Sequence, residues 1–285
     1  MELINIFLMP YRLFLLRTAA TLLLSAISLI HIQAQEEKDT LGGKIITNAK
    51  MIGVGSTHIL DTYISPEKYS GVEIRYISHT IREREGRRWS REIVHQGYVS
   101  FSDNRANEGE EIAGMYSFSY GFHYNWHLDG GNLNIRAGAL LDANLGFLYN
   151  TRNGNNPAQA RVSVNLSPSA AASYRFTAWR CPMTIGYEAS APLVGVMFSP
   201  NYGQSYYEIF NEGNYDHNIV PTWTGTTPSL RQMVTLDFRL RKMAIRLGYV
   251  GDYQQYEVNN LKYHNYSHLF VIGIVKRFRI EKLAP

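Results

Sequence analysis

The sequence holds a single cysteine, Cys181. No intrachain disulfide can form, and no cluster of thiolates can hold a metal. After the opening 35 residues there is no apolar run near the roughly 20 residues a transmembrane helix needs, which excludes a helical membrane protein. Charge of one sign is also scarce, with a formal net charge of only +4. The densest basic stretch, Arg82, Arg84, Arg87, Arg88 and Arg91, is interrupted by Glu83, Glu85 and Glu92. Such a mixed run reads as a solvated turn, and no nucleic-acid motif accompanies it, so no nucleic-acid partner is expected. Gly53-Val54-Gly55 lacks the third glycine and the following helix of a nucleotide loop. Glycine here is expected to relieve crowding in a curved strand. Tyrosine, by contrast, is abundant, with 20 residues, which suits strands at a membrane interface or a soluble sandwich equally.

Residues 1–34 read as a Sec-type signal peptide. Arg12 and Arg17 supply the positive region, Leu22 to Ile32 the apolar run and Ala34 the small residue at the cleavage position. A single membrane anchor is the alternative, but the run is short for that. No cysteine follows the cleavage region, so a lipid-anchored lipoprotein is not expected. Residues 35–48 are expected to form a periplasmic segment ahead of the folded domain.

From residue 49 to 280 apolar residues recur at every second position, the period of a strand rather than the 3.6 of a helix. Segment 112–128 sets Tyr116, Phe118, Tyr120, Phe122, Tyr124 and Trp126 against Ser117, Ser119, His123, Asn125 and His127. Segment 133–149 sets Leu141, Leu145, Phe147 and Tyr149 against Asn134, Arg136, Asp142 and Asn144. Segments 162–178, 183–193, 230–240, 243–253 and 264–280 alternate in the same way, while 49–60, 69–83 and 88–102 carry more polar exceptions. Runs this long exceed the 5–6 residues typical of soluble strands and suffice to cross a bilayer, which takes about 9–11 residues. The expected fold is all-β: an antiparallel up-and-down transmembrane β-barrel of about ten strands. Its partner is outer-membrane lipid, and its location the cell outer membrane.

Connection lengths set the expected topology. Short turns fall near 84–88, at 128–131, at 178–182 and near 241–242. Longer ones fall at 61–68, 103–111, 150–160, 199–229 and 255–262. Short turns in the periplasm and long loops outside are the asymmetry of such barrels. Trp126 and Trp179 sit beside short turns, and Tyr149 and Tyr253 toward long ones, where aromatic girdles belong.

The stretch from Val258-Asn259-Asn260-Leu261 through Phe270-Val271-Ile272-Gly273-Ile274-Val275-Lys276-Arg277-Phe278, with Leu247-Gly248-Tyr249 before it, resembles an uncharacterised outer-membrane family of Bacteroidetes labelled domain of unknown function 3316. The resemblance covers roughly residues 45–280. It implies a barrel and carries no catalytic residues. The ending also resembles the aromatic-terminated last strand read by the barrel-insertion machinery, a partner during biogenesis. Lys276, and the seven residues after Phe278, depart from that pattern.

Charges on the polar face point into the lumen: Arg136, Asp142, Arg175, Glu188, Asp237, Arg239 and Arg246, with Arg161, Arg231 and Asp252. In a narrow bore they must pair, because unpaired buried charge is costly. Catalytic groups are harder to find. Asp216-His217 offers an acid–histidine pair and His264, Ser267 and His268 a serine–histidine one, which keeps a rim hydrolase as the alternative function. Neither set has an identifiable oxyanion donor or second acid. His123 and His127 lie about 13 Å apart on one strand at 3.3 Å per residue. One ion cannot bridge them alone, and no metal or cofactor is expected. The longest connection is rich in exposed-type aromatics, Tyr206, Tyr207, Tyr215 and Trp223, with His217. It is the expected recognition surface for an extracellular ligand, since Tyr and Trp give contact area at little entropic cost.

Overall fold

The computed structural model describes residues 43–154, 156–240 and 243–280. The expected signal peptide at 1–34 lies outside the described residues. Twelve strands follow in chain order: β1 (Lys44–Asp61), β2 (Ser65–Arg84), β3 (Trp89–Asn104), β4 (Glu110–Leu128), β5 (Leu133–Asn150), β6 (Ala158–Ala178), β7 (Cys181–Ser190), β8 (Val194–Phe198), β9 (Ile219–Trp223), β10 (Leu230–Leu240), β11 (Met243–Val258) and β12 (Leu261–Ile280). One short helix, α1 (Tyr206–Phe210), lies between β8 and β9.

The strands form one closed antiparallel sheet. β1 through β6 each pair with the next strand in sequence, β7 pairs with β10, and β10–β11–β12 continue. β12 returns to β1 along its whole length, from Lys44 opposite Ile280 to Asp61 opposite Tyr263. β7 and β8 lie end to end beside β6, while β9 pairs with β8 and β10 with β7. Two walls are therefore interrupted at one level, and the barrel has ten walls, as the alternation predicts. Strands reach 21 residues in β6, about twice what a bilayer crossing needs.

Both ends of the domain, with the turns at 85–88, 129–132 and 179–180, lie at one rim, the terminal end. The opposite rim, the far end, carries 62–64, 105–109, the loop after Asn150, the excursion 191–229 and 259–260. The grouping of turns follows the expectation, but two lengths do not. The connection expected over 61–68 has three residues, and that expected over 255–262 has two. Strands here run on through Ser65-Pro66-Glu67-Lys68, since polarity marks water rather than the end of a ladder. Asn259 and Asn260 both adopt positive φ, 51° and 60°, the two-residue hairpin geometry that favours asparagine. At its other end β1 starts at Lys44, five residues before the alternation becomes legible.

Side chains divide by face as period two requires. Tyr116, Trp126, Leu141, Leu145, Phe147 and Tyr149 stand exposed on the outer wall, while Ser117, Ser119, His123 and Asn125 are buried inside. β1 partly inverts the rule. Its inward residues include Ala49, Met51 and Ile59, all buried, and Lys50 and His58 face out. Gly55 fits because a Cβ there would sit 1.9 Å from the His268 carbonyl oxygen, closer than any side chain tolerates.

Candidate functional site

The bore is a stack of layers, and the inward residues of β2 record them in order. From the terminal end these are Glu83, Ile81, His79, Ile77, Arg75, Glu73, Gly71 and Tyr69. The first layer is a cup of about 1230 Å³, lined by Arg136, Arg175, Glu188, Asp237, Arg239 and Arg246 among others. Small side chains such as Ala171, Ser173, Thr184, Gly186, Thr235 and Ala244 leave it open.

The floor of the cup is an ionic cluster. Arg136 donates to Glu92 Oε2 at 3.3 Å and to Glu188 Oε2 at 3.5 Å, and His79 Nε2 lies 3.0 Å from Glu92 Oε1. Above it, Ala49, Met51, Ile77, Val94, Val250, Leu269 and Val271 meet in an apolar belt. Next comes a second ionic layer. Arg75 Nε donates to Glu73 Oε1 at 2.6 Å and Arg75 Nη1 to Asp252 Oδ2 at 2.5 Å, and Ser267 donates to Glu73 Oε2 at 2.5 Å. The Arg75 guanidinium also stacks on Tyr98 at 4.8 Å. A second apolar cluster of Ile59, Tyr63, Tyr98, Met115, Leu148, Met197, Tyr256, Leu261 and Tyr263 fills the far half. Arg161 lies in it, 3.3 Å over the Tyr263 ring.

Of the seven lumen charges expected from the sequence, four pair with one another or within the floor cluster. Asp237 and Arg246 form a two-pronged pair at 2.6 and 2.8 Å, and Arg136 and Glu188 share the floor. Asp142 instead accepts from the Ser167 hydroxyl. Arg175 and Arg239 line the cup and are exposed. The buried pairs also draw in residues that the period-two reading had not singled out: Glu73, Arg75, His79 and Glu92. They sit on β2 and β3, where polar inward residues looked like interruptions of an apolar pattern.

The excursion 191–229 is tied down rather than loose. Ser205 and Glu208 form a reciprocal cap on α1. Asn218 donates to Gln204 Oε1 at 2.7 Å and to the Ser199 carbonyl at 3.1 Å, and Asn259 donates to the His217 carbonyl at 2.9 Å. Tyr206 turns inward. Its ring meets Tyr63 edge-on at 6.0 Å, its hydroxyl accepts from the Ala160 amide at 2.6 Å, and burial pushes its phenol above the ordinary range. The other expected recognition residues point out: Tyr207, Tyr215 and Trp223 are exposed, joined by Tyr202 and Phe210. His217 also points outward, paired with Asp216 at 3.0 Å.

The serine–histidine idea does not survive the geometry. Ser267 faces the lumen, where it donates to Glu73, and His264 stacks on Tyr266 on the opposite face at 4.7 Å. Residues three apart on a strand cannot converge. His123 is likewise buried while His127 is exposed toward the cup mouth.

Among solved structures the chain is similar to the transport unit of the autotransporter AIDA-I from Escherichia coli, at 6% identity over 87% of this chain and 92% of that one, TM-score 0.42. It is also similar to the translocator domain of autotransporter NalP from Neisseria meningitidis, at 11% identity over 92% and 97%, TM-score 0.40. A third is an outer membrane channel from Pseudomonas putida F1, at 10% identity over 85% and 97%, TM-score 0.35. No curated protein matches the sequence. A family model does, over residues 15–283, and the chain belongs to that family, the proteins of unknown function DUF3316.

Proposed function

We propose that this protein is an outer-membrane barrel that conducts no solute and acts by binding at its outer rim, the far end facing outward. One observation carries the reading: the bore is closed by two apolar clusters and two ionic layers. A charged or hydrated solute would have to displace Met51, Leu269 and Val271 and then the Arg75 pairs, and breaking a buried pair costs about 3–5 kcal/mol. The outer wall carries Leu141, Leu145, Ile272 and Phe270 exposed, which suits hydrocarbon and not water. Short turns at the terminal end and the long excursion at the other support an excursion that faces outside the cell.

On that rim Tyr202, Tyr207, Phe210, Tyr215 and Trp223 are exposed on a backbone held by side-chain hydrogen bonds. Rigid aromatics lose little entropy on contact, so they favour recognition of an extracellular ligand or partner. Planar-bilayer recording of the purified protein tests the closed bore. The expected result is no steady conductance, and a reproducible open-channel current overturns the reading. The rim role is tested by Tyr207→Ser with Tyr215→Ser, which keeps the barrel and removes surface binding to whole-cell partners identified by cross-linking.

A further inference from the structure

We propose that His79, Glu92 and Glu188, with His123 within reach, form a binding site for one divalent transition-metal ion of the zinc class at the floor of the cup. The three side chains come from β2, β3 and β7, and their ligand atoms all lie within 4.8 Å of one another. His79 Nε2 stands 3.0 Å from Glu92 Oε1 and 3.8 Å from Glu188 Oε2. His123 Nδ1, from β4, stands 3.5 Å from Glu92 Oε2. Ligands held about 2.0–2.2 Å from a tetrahedral ion are separated by about 3.3–3.6 Å, the range these distances bracket.

Hydrogen bonding gives a second, independent pointer. His79 Nε2 and Glu92 Oε1 face each other at 3.0 Å without an aligned hydrogen bond, and both ring nitrogens of His123 are buried beside them with no hydrogen-bond partner. His79 is 4% exposed, and Glu92 and His123 are 0% exposed. Buried polar atoms without partners are costly and rare, and the His123 nitrogens next to the His79–Glu92 contact mark a place for a cation. Charge agrees. Two carboxylates face one guanidinium, that of Arg136.

The donor set selects the ion. Imidazole nitrogen with carboxylate oxygen suits zinc and its neighbours, whereas calcium takes six to eight oxygens. His79 and Glu188 line the cup, so an ion in the terminal-side compartment reaches the site without crossing the apolar belt. The site was invisible along any one strand because each ligand sits on a different wall.

The test uses the purified full-length protein in detergent, stripped with a chelator and titrated with zinc alone. The expected result is about one equivalent of zinc retained per chain. Cobalt in its place should give visible ligand-field bands of tetrahedral intensity. Glu188→Gln and His79→Ala should each weaken zinc binding at least about tenfold while the protein still runs at different positions on a detergent gel before and after boiling, as a folded barrel does. Asp237→Asn, on the same cup wall, should bind as before. Wild-type protein that retains no zinc and gives no cobalt bands overturns the proposal even if the variants fail to fold. Equal affinity in wild type and Glu188→Gln overturns it too.

Discussion

The two halves of the bore share one wall and one strand geometry yet differ completely in content. Toward the terminal end the inward positions are Thr47, Ala171, Ser173, Thr184, Gly186, Thr235 and Ala244, and a cup of about 1230 Å³ remains. Toward the far end they include Tyr63, Tyr98, Met115, Tyr256, Leu261 and Tyr263 with buried Asp61, Glu111 and Arg161, and a space of only about 120 Å³ is left beside Met115 and Tyr256. Strand number fixes the diameter of a barrel, but side-chain volume decides whether that diameter is a vessel or a core. The same ten walls hold both.

The largest expected way to break this contrast is to remove the ionic layer that separates the halves. Arg75→Met leaves Glu73 and Asp252 buried without their cation, and should cost about 3–5 kcal/mol, read as a lower unfolding midpoint in urea with detergent or lipid present. Unchanged stability would mean that the carboxylates are not held by Arg75. Next in size is the outer wall. Leu141→Arg, outward on β5 and exposed, should cost about 2–4 kcal/mol in a bilayer, whereas Ser173→Arg on the cup wall should be close to silent. Equal costs would show that the inside and outside are misassigned.

Filling each half sharpens the contrast further. Ala113→Phe, at a fully buried position of the far cluster, should destabilise by about 1–3 kcal/mol through overpacking. Ala244→Phe, projecting into the cup, should cost less than that because there is room. Smallest in stability is the pair Tyr207→Ser and Tyr215→Ser, expected within about 0.5 kcal/mol of the parent protein. A large loss there would make these exposed rings part of the barrel's packing and remove them from recognition.

Much of this was legible from residue order alone where the bore is polar. In β4, β5 and β6 the outward aromatics and leucines alternate with Ser117, Asn144 and Ser163, so period and face agree, although β6 starts at Ala158, four residues before the expected segment. In β1 the apolar belt puts Ala49 and Met51 inside while Lys50 faces out, and the alternation that identifies lipid-facing residues loses its contrast. Asn259-Asn260 carried a readable hairpin signal, outweighed by the polar residues on either side. Inward charges such as Asp237 and Arg246 could be placed on the lumen face. Their pairing is visible because they face each other on adjacent strands. Arg75 and Asp252 meet only because β2 and β11, three walls apart in one closed ring, face each other across its bore, which no local pattern encodes. Tyr206 illustrates the remaining gap. Composition grouped it with Tyr207 and Tyr215, but the capped turn of α1 aims it at Tyr63.

The seam between β1 and β12 has a consequence for assembly. It joins the first described strand to the last, over the whole of β1 and over β12 from Tyr263 to Ile280. Until β12 arrives, β1 and whichever strand was made last are both open edges, each with a row of unpaired amides and carbonyls that hydrocarbon cannot satisfy. Closure must also land in register. A slip by one residue would turn Met51 toward lipid and bring Lys50 into the belt. A partly made barrel therefore gains little from the strands it has, and completion should be close to all-or-none. The final hairpin, closed by Asn259 and Asn260, acts as the latch that commits the other walls.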